Sequence, residues 1–301
     1  MIDIVIVNWN SGEMIRTVID SIRDSSFKHT RVYVVDNQSA DGSLQNIPWN
    51  GSVCIIKNPD NVGFGKACNQ ALEMCSSPYV LFLNPDTMLY PETLSSSHQF
   101  MEDHPEIAVM GCRHLDEHGK TRVSCSRFPQ ARFVLYDIIG LSKVFPRIFT
   151  PSTLMTDWDH ESSKIVDQVM GAFMLVRRSI LDHTGFFDPR FFMYFEDLDL
   201  SKRISTNNGL IFYNSEISIY HKGEGTTAQI SGDRLFYFLQ SRKLYLEKYF
   251  GSVTIALITL ASVLIEPVTR TINEILHGKI GGLRNITHGY VLYIFWMLKR
   301  K

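Results

Sequence analysis

The stretch that decides the fold is Ile2–Gly42, IDIVIVNWNSGEMIRTVIDSIRDSSFKHTRVYVVDNQSADG. It opens on a short apolar run, Ile2–Val7, which reads as a buried strand. Glu13–Arg23 then places Met14, Ile15, Val18, Ile19 and Ile22 on one stripe, the spacing of an amphipathic helix. Val32–Val35 is a second strand, and it ends directly in the polar turn DNQSADG. Further strands are expected at Val53–Ile56, Tyr79–Leu83 and Ile107–Gly111, with a helix over Gly65–Cys75 ahead of the fourth. Strands and helices that alternate through short loops predict an α/β domain with a mostly parallel sheet covered on both faces.

Open parallel sheets bind ligands beyond the carboxyl ends of their strands. The polar residues at those ends are Asn8, Asp36, and Asn84 with Asp86. Pro85 in LNPD breaks the ladder and leaves Asp86 at the sheet's edge, where a hard divalent cation would find an oxygen ligand. NVGFGKACNQA, Asn61–Ala71, enters its helix through two glycines, so backbone and ligand could approach closely, and Lys66 with the helix N-terminus favours an anion. The spacing is neither that of a dinucleotide fingerprint nor that of a Walker loop. His221 ends the strand Ile217–Tyr220 and precedes KGEGTT, whose amides could hold phosphate oxygens. MYFEDLDLSKR, Met193–Arg203, crowds Glu196, Asp197 and Asp199 beside an aromatic run, which should raise the basicity of a carboxylate there. Read singly, each of these also has a bland explanation: an Asx turn, a helix entry, a structural histidine, a charged first helical turn.

The 301 residues are 45% hydrophobic, enough for one large core or two modest ones. A net charge of −1 supplies no bulk attraction to nucleic acid, which is excluded as a partner. Five scattered cysteines without CxxC spacing argue against disulfides and zinc and for a reducing, cytoplasmic compartment. The opening strand lacks the basic and long apolar regions of a secretory signal. Near the C-terminus, VTIALITLASVLI (253–265) is apolar but shorter than the roughly 20 residues a membrane span needs. YVLYIFWML is followed at once by KRK. Membrane-interface contact on the cytoplasmic face and a buried core helix both fit this pattern. Two domains follow: 1–230, the sheet domain, and 231–301, a helical region that associates with membrane on the first of these readings.

In order, DNQSADG (36–42), NVGFGKACN (61–69), NPD (84–86), GAFMLVRR (171–178), GFFDPRFFMYFEDLDLSKR (185–203) and HKGEGT (221–226) resemble the inverting family 2 glycosyltransferases, especially rhamnosyltransferase-like members of polysaccharide assembly. The resemblance covers roughly residues 1–230 and implies a GT-A fold. It implies that Asn8 and Asp36 border the base of a nucleotide-diphosphate sugar. Asn61, Gly63, Lys66 and Asn69, with Asn84, would line the rest of that pocket. It implies that Asp86 and His221 bind Mg²⁺ or Mn²⁺, with Asn84 standing where the family carries a first acid. It implies that Asp197, paired with Glu196, is the base that deprotonates an acceptor hydroxyl on a saccharide or a polyprenyl-diphosphate-linked saccharide. The donor it favours is dTDP-L-rhamnose. Arg234, Arg242, Lys243 and Lys248 are candidates to meet the lipid's diphosphate. A sugar-1-phosphate nucleotidyltransferase would share the nucleotide half but needs a Gly- and Arg-rich loop after strand one, where this chain has NWNSGEM. A non-catalytic saccharide-binding protein would not need the acid, the base and the histidine together.

Overall fold

A computed structural model describes residues 1–47, 53–145, 148–223, 231–278 and 281–300. The chain divides into two compact units, one built of residues 1–126, 158–192 and 196–226, the other of 127–157, 193–195 and 227–301. The helical unit thus takes up the Phe- and Pro-rich middle segment and the three residues Met193–Phe195, which lie before the expected boundary at 230.

In the first unit the strands are β1 (Ile2–Asn8), β2 (Thr30–Asp36), β3 (Val53–Lys57), β4 (Tyr79–Leu83), β5 (Thr87–Leu89) and β6 (Ile107–Leu115). Short strands follow, β7 (Thr121–Arg122), β8 (Cys125–Ser126), β9 (Lys164–Ile165) and β10 (Gln168–Val169), then β11 (Phe173–Arg177) and the long β12 (Leu210–His221). Helices α1 (Met14–Asp24), α2 (Phe64–Leu72) and α3 (Thr93–Asp103) cover the sheet. The path through the sheet is β3-β2-β1-β4-β11-β6-β12-β5. β1, β2, β3 and β4 run parallel, as the alternation predicts. β11 lies between β4 and β6 antiparallel to both, which periodicity alone did not reveal. The apolar stripe of α1, Ile15, Val18, Ile19 and Ile22, is buried with Ile2, Ile4, Ile6 and Val34 in one core.

Antiparallel β11 matters for function because its start lies beside the carboxyl end of β4. Phe173 pairs with Leu83, and the Asn84 amide donates to the Ala172 carbonyl at 3.1 Å. β5, directly after Asn-Pro-Asp, pairs back onto the end of β12, with Thr87 opposite His221. The proline therefore ends one strand, and after Asp86 the next one starts at Thr87.

The second unit holds α4 (Ala131–Ile138) and α5 (Leu141–Val144); α6 (Arg178–Thr184) and α7 (Glu196–Thr206) belong to the first. The rest of the second unit is α8 (Ser231–Tyr249), α9 (Ser252–Leu264), α10 (Glu266–Leu276) and α11 (Gly282–Lys299). Val134 and Ile138 of α4 pack with Leu246, Ile258 and Ala261, while Leu239 packs with Tyr290 and Tyr293 of α11. Segment 253–265 is not a buried core helix: Ile258, Ala261 and Ser262 of α9 are buried, and Val253, Leu257, Leu260 and Leu264 are exposed. Among the described residues no single helix is long and apolar enough to cross a membrane. Of the four cations expected to meet a lipid diphosphate, Arg234 donates to the Tyr194 hydroxyl at 3.2 Å. Arg242 is buried against Glu266 and Ser262, and Lys243 pairs with Glu247 at 3.2 Å.

Candidate active site

The carboxyl ends of β1 and β2 are joined by a buried polar network. Asn8 is fully buried, and its amide donates to Asp36 Oδ1 at 2.7 Å, Ser43 Oγ at 2.9 Å and Ser39 Oγ at 3.0 Å. Asp36 Oδ2 accepts the Ser39 amide at 3.1 Å. With every polar atom turned inward, Asn8 orients Asp36 and the DNQSADG turn rather than facing a ligand itself. Asn37 extends the network, giving its amide to the Gly63 carbonyl at 3.3 Å and accepting from Asn58 at 2.8 Å.

The glycines of NVGFG serve a close approach within the chain. Gly63 has φ +86°, and a Cβ there would lie 2.3 Å from the Phe192 carbonyl oxygen. The Phe64 amide donates to that same carbonyl at 3.0 Å. A Cβ on Gly65 would lie 3.1 Å from Phe187 Cβ and 3.6 Å from Glu196 Cβ. These two positions admit the 187–196 segment, where the sequence pattern had pointed to a ligand's approach. Asn69 does the same work from its side chain, accepting from the Phe187 amide at 3.0 Å and donating to the Phe187 carbonyl at 2.8 Å. Its amide is thereby used by the fold and not by a nucleotide pocket. Asn61 Oδ1 accepts the Gly63 amide at 3.0 Å, closing the turn, while Lys66 is exposed on the first turn of α2.

Asp86 and His221 come together as the register of β5 and β12 requires. His221 Nε2 lies 3.5 Å from Asp86 Oδ1, both side chains are nearly buried, and the Lys222 amide donates to the Asp86 carbonyl at 3.0 Å. Asn84 is half-buried at the same turn. His221 Nδ1 is engaged separately, 3.2 Å from Nδ1 of His114 on β6. Burial, then the neighbouring His221, holds the His114 imidazole well below its usual pKa, so it is neutral. One carboxylate oxygen and one imidazole nitrogen that converge are a donor pair suited to Mn²⁺ or Mg²⁺. Among the described residues no group of three His, Cys, Asp or Glu forms a cage. The Asp86–His221 pair fits a divalent cation as two of its ligands. Residues 224–227 of the glycine-rich loop lie outside the described residues.

The acidic cluster begins α7. Asp197 Oδ2 accepts from Gln168 Nε2 at 2.9 Å and the Gly171 amide at 3.1 Å, and Oδ1 accepts the Leu198 amide at 2.8 Å. Burial raises its pKa against the pull of those donors. Glu196 is driven well above the usual carboxylate range by burial and then by the charge of Asp197. Its Oε2 is buried without a hydrogen-bond partner among the described residues, the state of a carboxyl that keeps its proton. Asp199 pairs with Arg203 at 2.9 Å, and that guanidinium also donates to the carbonyls of Thr184, Gly185 and Phe186. Asp199 is thus a structural anchor of α7. Just ahead, within the helical unit, Tyr194 and Phe195 sit at φ +68° and +67°. There the Met193 carbonyl accepts from Ser241 at 2.8 Å and Phe195 packs on Phe238 at 5.7 Å.

One sheet edge gathers these groups. Gly171 binds Asp197, the next residue's carbonyl binds Asn84, and Asp86 follows two positions on. His114, Gln168 and the Gly171 amide were not picked out from sequence. His114 left one trace, a histidine inside the apolar run of β6, whereas a glutamine on a two-residue strand leaves none.

The sequence profile described as "Glycosyl transferase family 2" matches residues 3–185, more than half of the chain. The chain is 25% identical over 244 residues to an "N-acetylglucosaminyl-diphospho-decaprenol L-rhamnosyltransferase" of Mycobacterium tuberculosis, covering 75% of this chain and 78% of that one. It is 24% identical over 257 residues to "Rhamnosyltransferase WbbL" of Escherichia coli, covering 82% and 93%. Its fold matches a mannosyltransferase from Pyrobaculum calidifontis solved with GDP-Man and Mn²⁺, at TM-score 0.57 and 12% identity over 97% of this chain and 86% of that one.

Proposed function

The chain belongs to glycosyltransferase family 2 with a GT-A fold, and from that membership we propose that it moves L-rhamnose, with inversion, from dTDP-L-rhamnose to a saccharide carried on a polyprenyl diphosphate. The two relatives named as rhamnosyltransferases support the donor, and the decaprenol-linked substrate in one name supports the acceptor. Such a reaction serves cell-surface glycan assembly at the cytoplasmic face of the membrane.

The observation that carries the reading is the convergence, on one sheet edge, of a three-donor carboxylate with an aspartate–histidine pair. Asp197 accepts the proton of the acceptor hydroxyl as its oxygen attacks the anomeric carbon and the bond to the nucleoside diphosphate breaks. Gln168 and the Gly171 amide hold that carboxylate in place. Asp86 and His221 would hold a divalent ion, which when bound neutralises charge on the departing diphosphate. His114 fixes the ring of His221. Glu196, protonated and buried, keeps a second negative charge away from the base. Asp36, set by Asn8, and Lys66 border the donor.

Two measurements test this. Asp197→Asn should bind donor normally, by calorimetry, and lose transfer by about 10²–10⁴-fold; near wild-type transfer would remove the base assignment. A thermal-shift screen of nucleotide sugars with Mg²⁺ or Mn²⁺ should single out dTDP-L-rhamnose, because a bound donor stabilises the folded chain by mass action. A larger shift with another sugar nucleotide would correct the donor.

A further inference from the structure

Helices α9 and α10 have their polarity reversed relative to a water-soluble surface. α9 has no charged side chain in 13 residues. Its outer face shows Val253, Leu257, Leu260 and Leu264, and the same 3–4 spacing continues in α10 as Val268, Ile272 and Ile275, each more than half exposed. The stripe passes a 42° bend between the helices and extends about 35 Å at 1.5 Å per residue. A charge lies inside, while Arg270 and Glu274 of α10 are part-exposed. Glu266, at the bend, is buried against Arg242 and Arg270, with Arg270 Nη2 at 2.7 Å. Water would favour the opposite arrangement.

The composition of the stripe selects the occupant. Protein interfaces anchor on Trp, Tyr and Arg, and this stripe holds only Val, Leu and Ile. Charge points the same way. From residue 231 onward the sequence carries ten Lys and Arg against four Asp and Glu, net +6, in a chain whose total is −1. α11 ends with exposed Phe295 and Leu298 followed by Lys299 and Arg300, the latter 4.7 Å over the Trp296 ring. Aromatics and cations beside aliphatics match the boundary of an anionic bilayer. We infer that α9 and α10 lie in the plane of such a bilayer, with the aliphatic stripe among the acyl chains. This is a docking face on one leaflet. Its use, bringing the site to a lipid-linked acceptor, rests on the proposed reaction; the binding itself does not.

The test is flotation of the full chain with phosphatidylcholine vesicles, with and without phosphatidylglycerol. Wild type should float with the anionic vesicles, and added salt should weaken the binding. Leu257→Glu and Leu260→Glu are exposed changes that leave the core intact, as circular dichroism and unchanged donor binding would verify. Each should cost about tenfold or more in vesicle affinity, the worth of burying one leucine. Unchanged flotation of both variants overturns the inference. So does a wild-type dimer in sedimentation that these substitutions dissociate while vesicles bind nothing, since a second copy would then own the face. Resistance to alkaline carbonate extraction also overturns it, because that marks a spanning segment. Transfer to a soluble acceptor analogue separates the two readings: its failure in a chain that floats normally counts against the reaction alone.

Discussion

Replacing His114 probes the proposed ion-binding half of the site without touching a residue that meets substrate on that reading. The His114 and His221 rings meet edge to face, 5.0 Å between centroids, with their Nδ1 atoms 3.2 Å apart. His221 is left with Nε2 for a cation, beside Asp86. An imidazole that ligates through one nitrogen carries its proton on the other. His221 Nδ1 therefore donates and His114 Nδ1 accepts. His114→Phe fills similar volume and removes the acceptor. The His221 N–H is then buried and unpaired, which costs about 1–3 kcal/mol. Loss of an outer partner of a ligand histidine lowers metal affinity about 10–100-fold, a comparable 1.4–2.8 kcal/mol. The expected result is a Mn²⁺ dissociation constant raised by that factor, measured by calorimetry with dTDP present, while the melting temperature without metal shows the chain still folded. His114→Gln, which keeps an acceptor, should recover part of the loss. A His221→Ala background provides the control, because there His114→Phe should have no further effect on Mn²⁺. A folded His114→Phe with unchanged Mn²⁺ affinity, or an equal additional loss in the His221→Ala background, would refute the positioning role.

Other outcomes follow from the same geometry. The folded-state pKa of Glu196 is raised, so above the unfolded value of about 4.3 the folded chain binds the proton more tightly and loses stability as pH rises. Glu196→Gln should therefore raise the melting temperature more at pH 8 than at pH 4, and a pH-independent difference would contradict the assignment. Gly63→Ala combines an unfavourable φ with the 2.3 Å approach to Phe192 O, and should lower stability by about 3 kcal/mol in urea titration; a loss under about 1 kcal/mol would show that the segment moves freely. Asp3 is fully buried and accepts from Arg31 at 2.8 Å and from the Ser76 and Ser77 amides at 2.7 and 2.8 Å. Asp3→Ala should cost about 3 kcal/mol, since it strands the buried Ser77 amide and the part-buried Ser76 amide while half-exposed Arg31 reaches water; near-neutral unfolding would oppose this.

What could be read from sequence was what is local. The α1 stripe and the parallel strands follow from periods of 3.6 and 2 within single segments, and they appear where expected. β11 escaped as an antiparallel member because strand direction is set by where a chain returns, and Phe173 returns to Leu83 across ninety positions. At the site, Asp86 and His221 announced themselves by chemistry at strand ends, and the sheet register brings them together. Gly63, Gly65 and Asn69 were legible as special but not as to why. A glycine that admits a ligand and one that admits Phe192 look identical until the distant segment is in place. The same holds for Asn8, whose partners on Ser39 and Ser43 lie more than thirty positions away.

The crowding of Glu196, Asp197 and Asp199 has an electrostatic resolution that bears on the reaction itself. Three ionised carboxylates beside a nucleoside diphosphate would repel the donor and one another, and burial would strengthen both effects. The structure treats the three differently. Asp199 is neutralised by Arg203 one helical turn on, inside the fold. Glu196 is held well above the usual carboxylate range by burial and then by Asp197 next to it, which favours its protonated form. Asp197 has three neutral donors arranged around its carboxylate, one of them the Gly171 amide whose position β11 fixes against β4. Its basicity is thus set by a balance, since burial raises its pKa and three hydrogen bonds restrain the rise. That balance suits the proposed general base, which gains from being more basic than an aspartate in water. Removing Gln168 by Gln168→Leu should tip the balance, displacing the acid limb of the transfer–pH profile upward while donor affinity stays constant. A limb that does not move would mean that Gln168 holds β10 in place and leaves the base untouched.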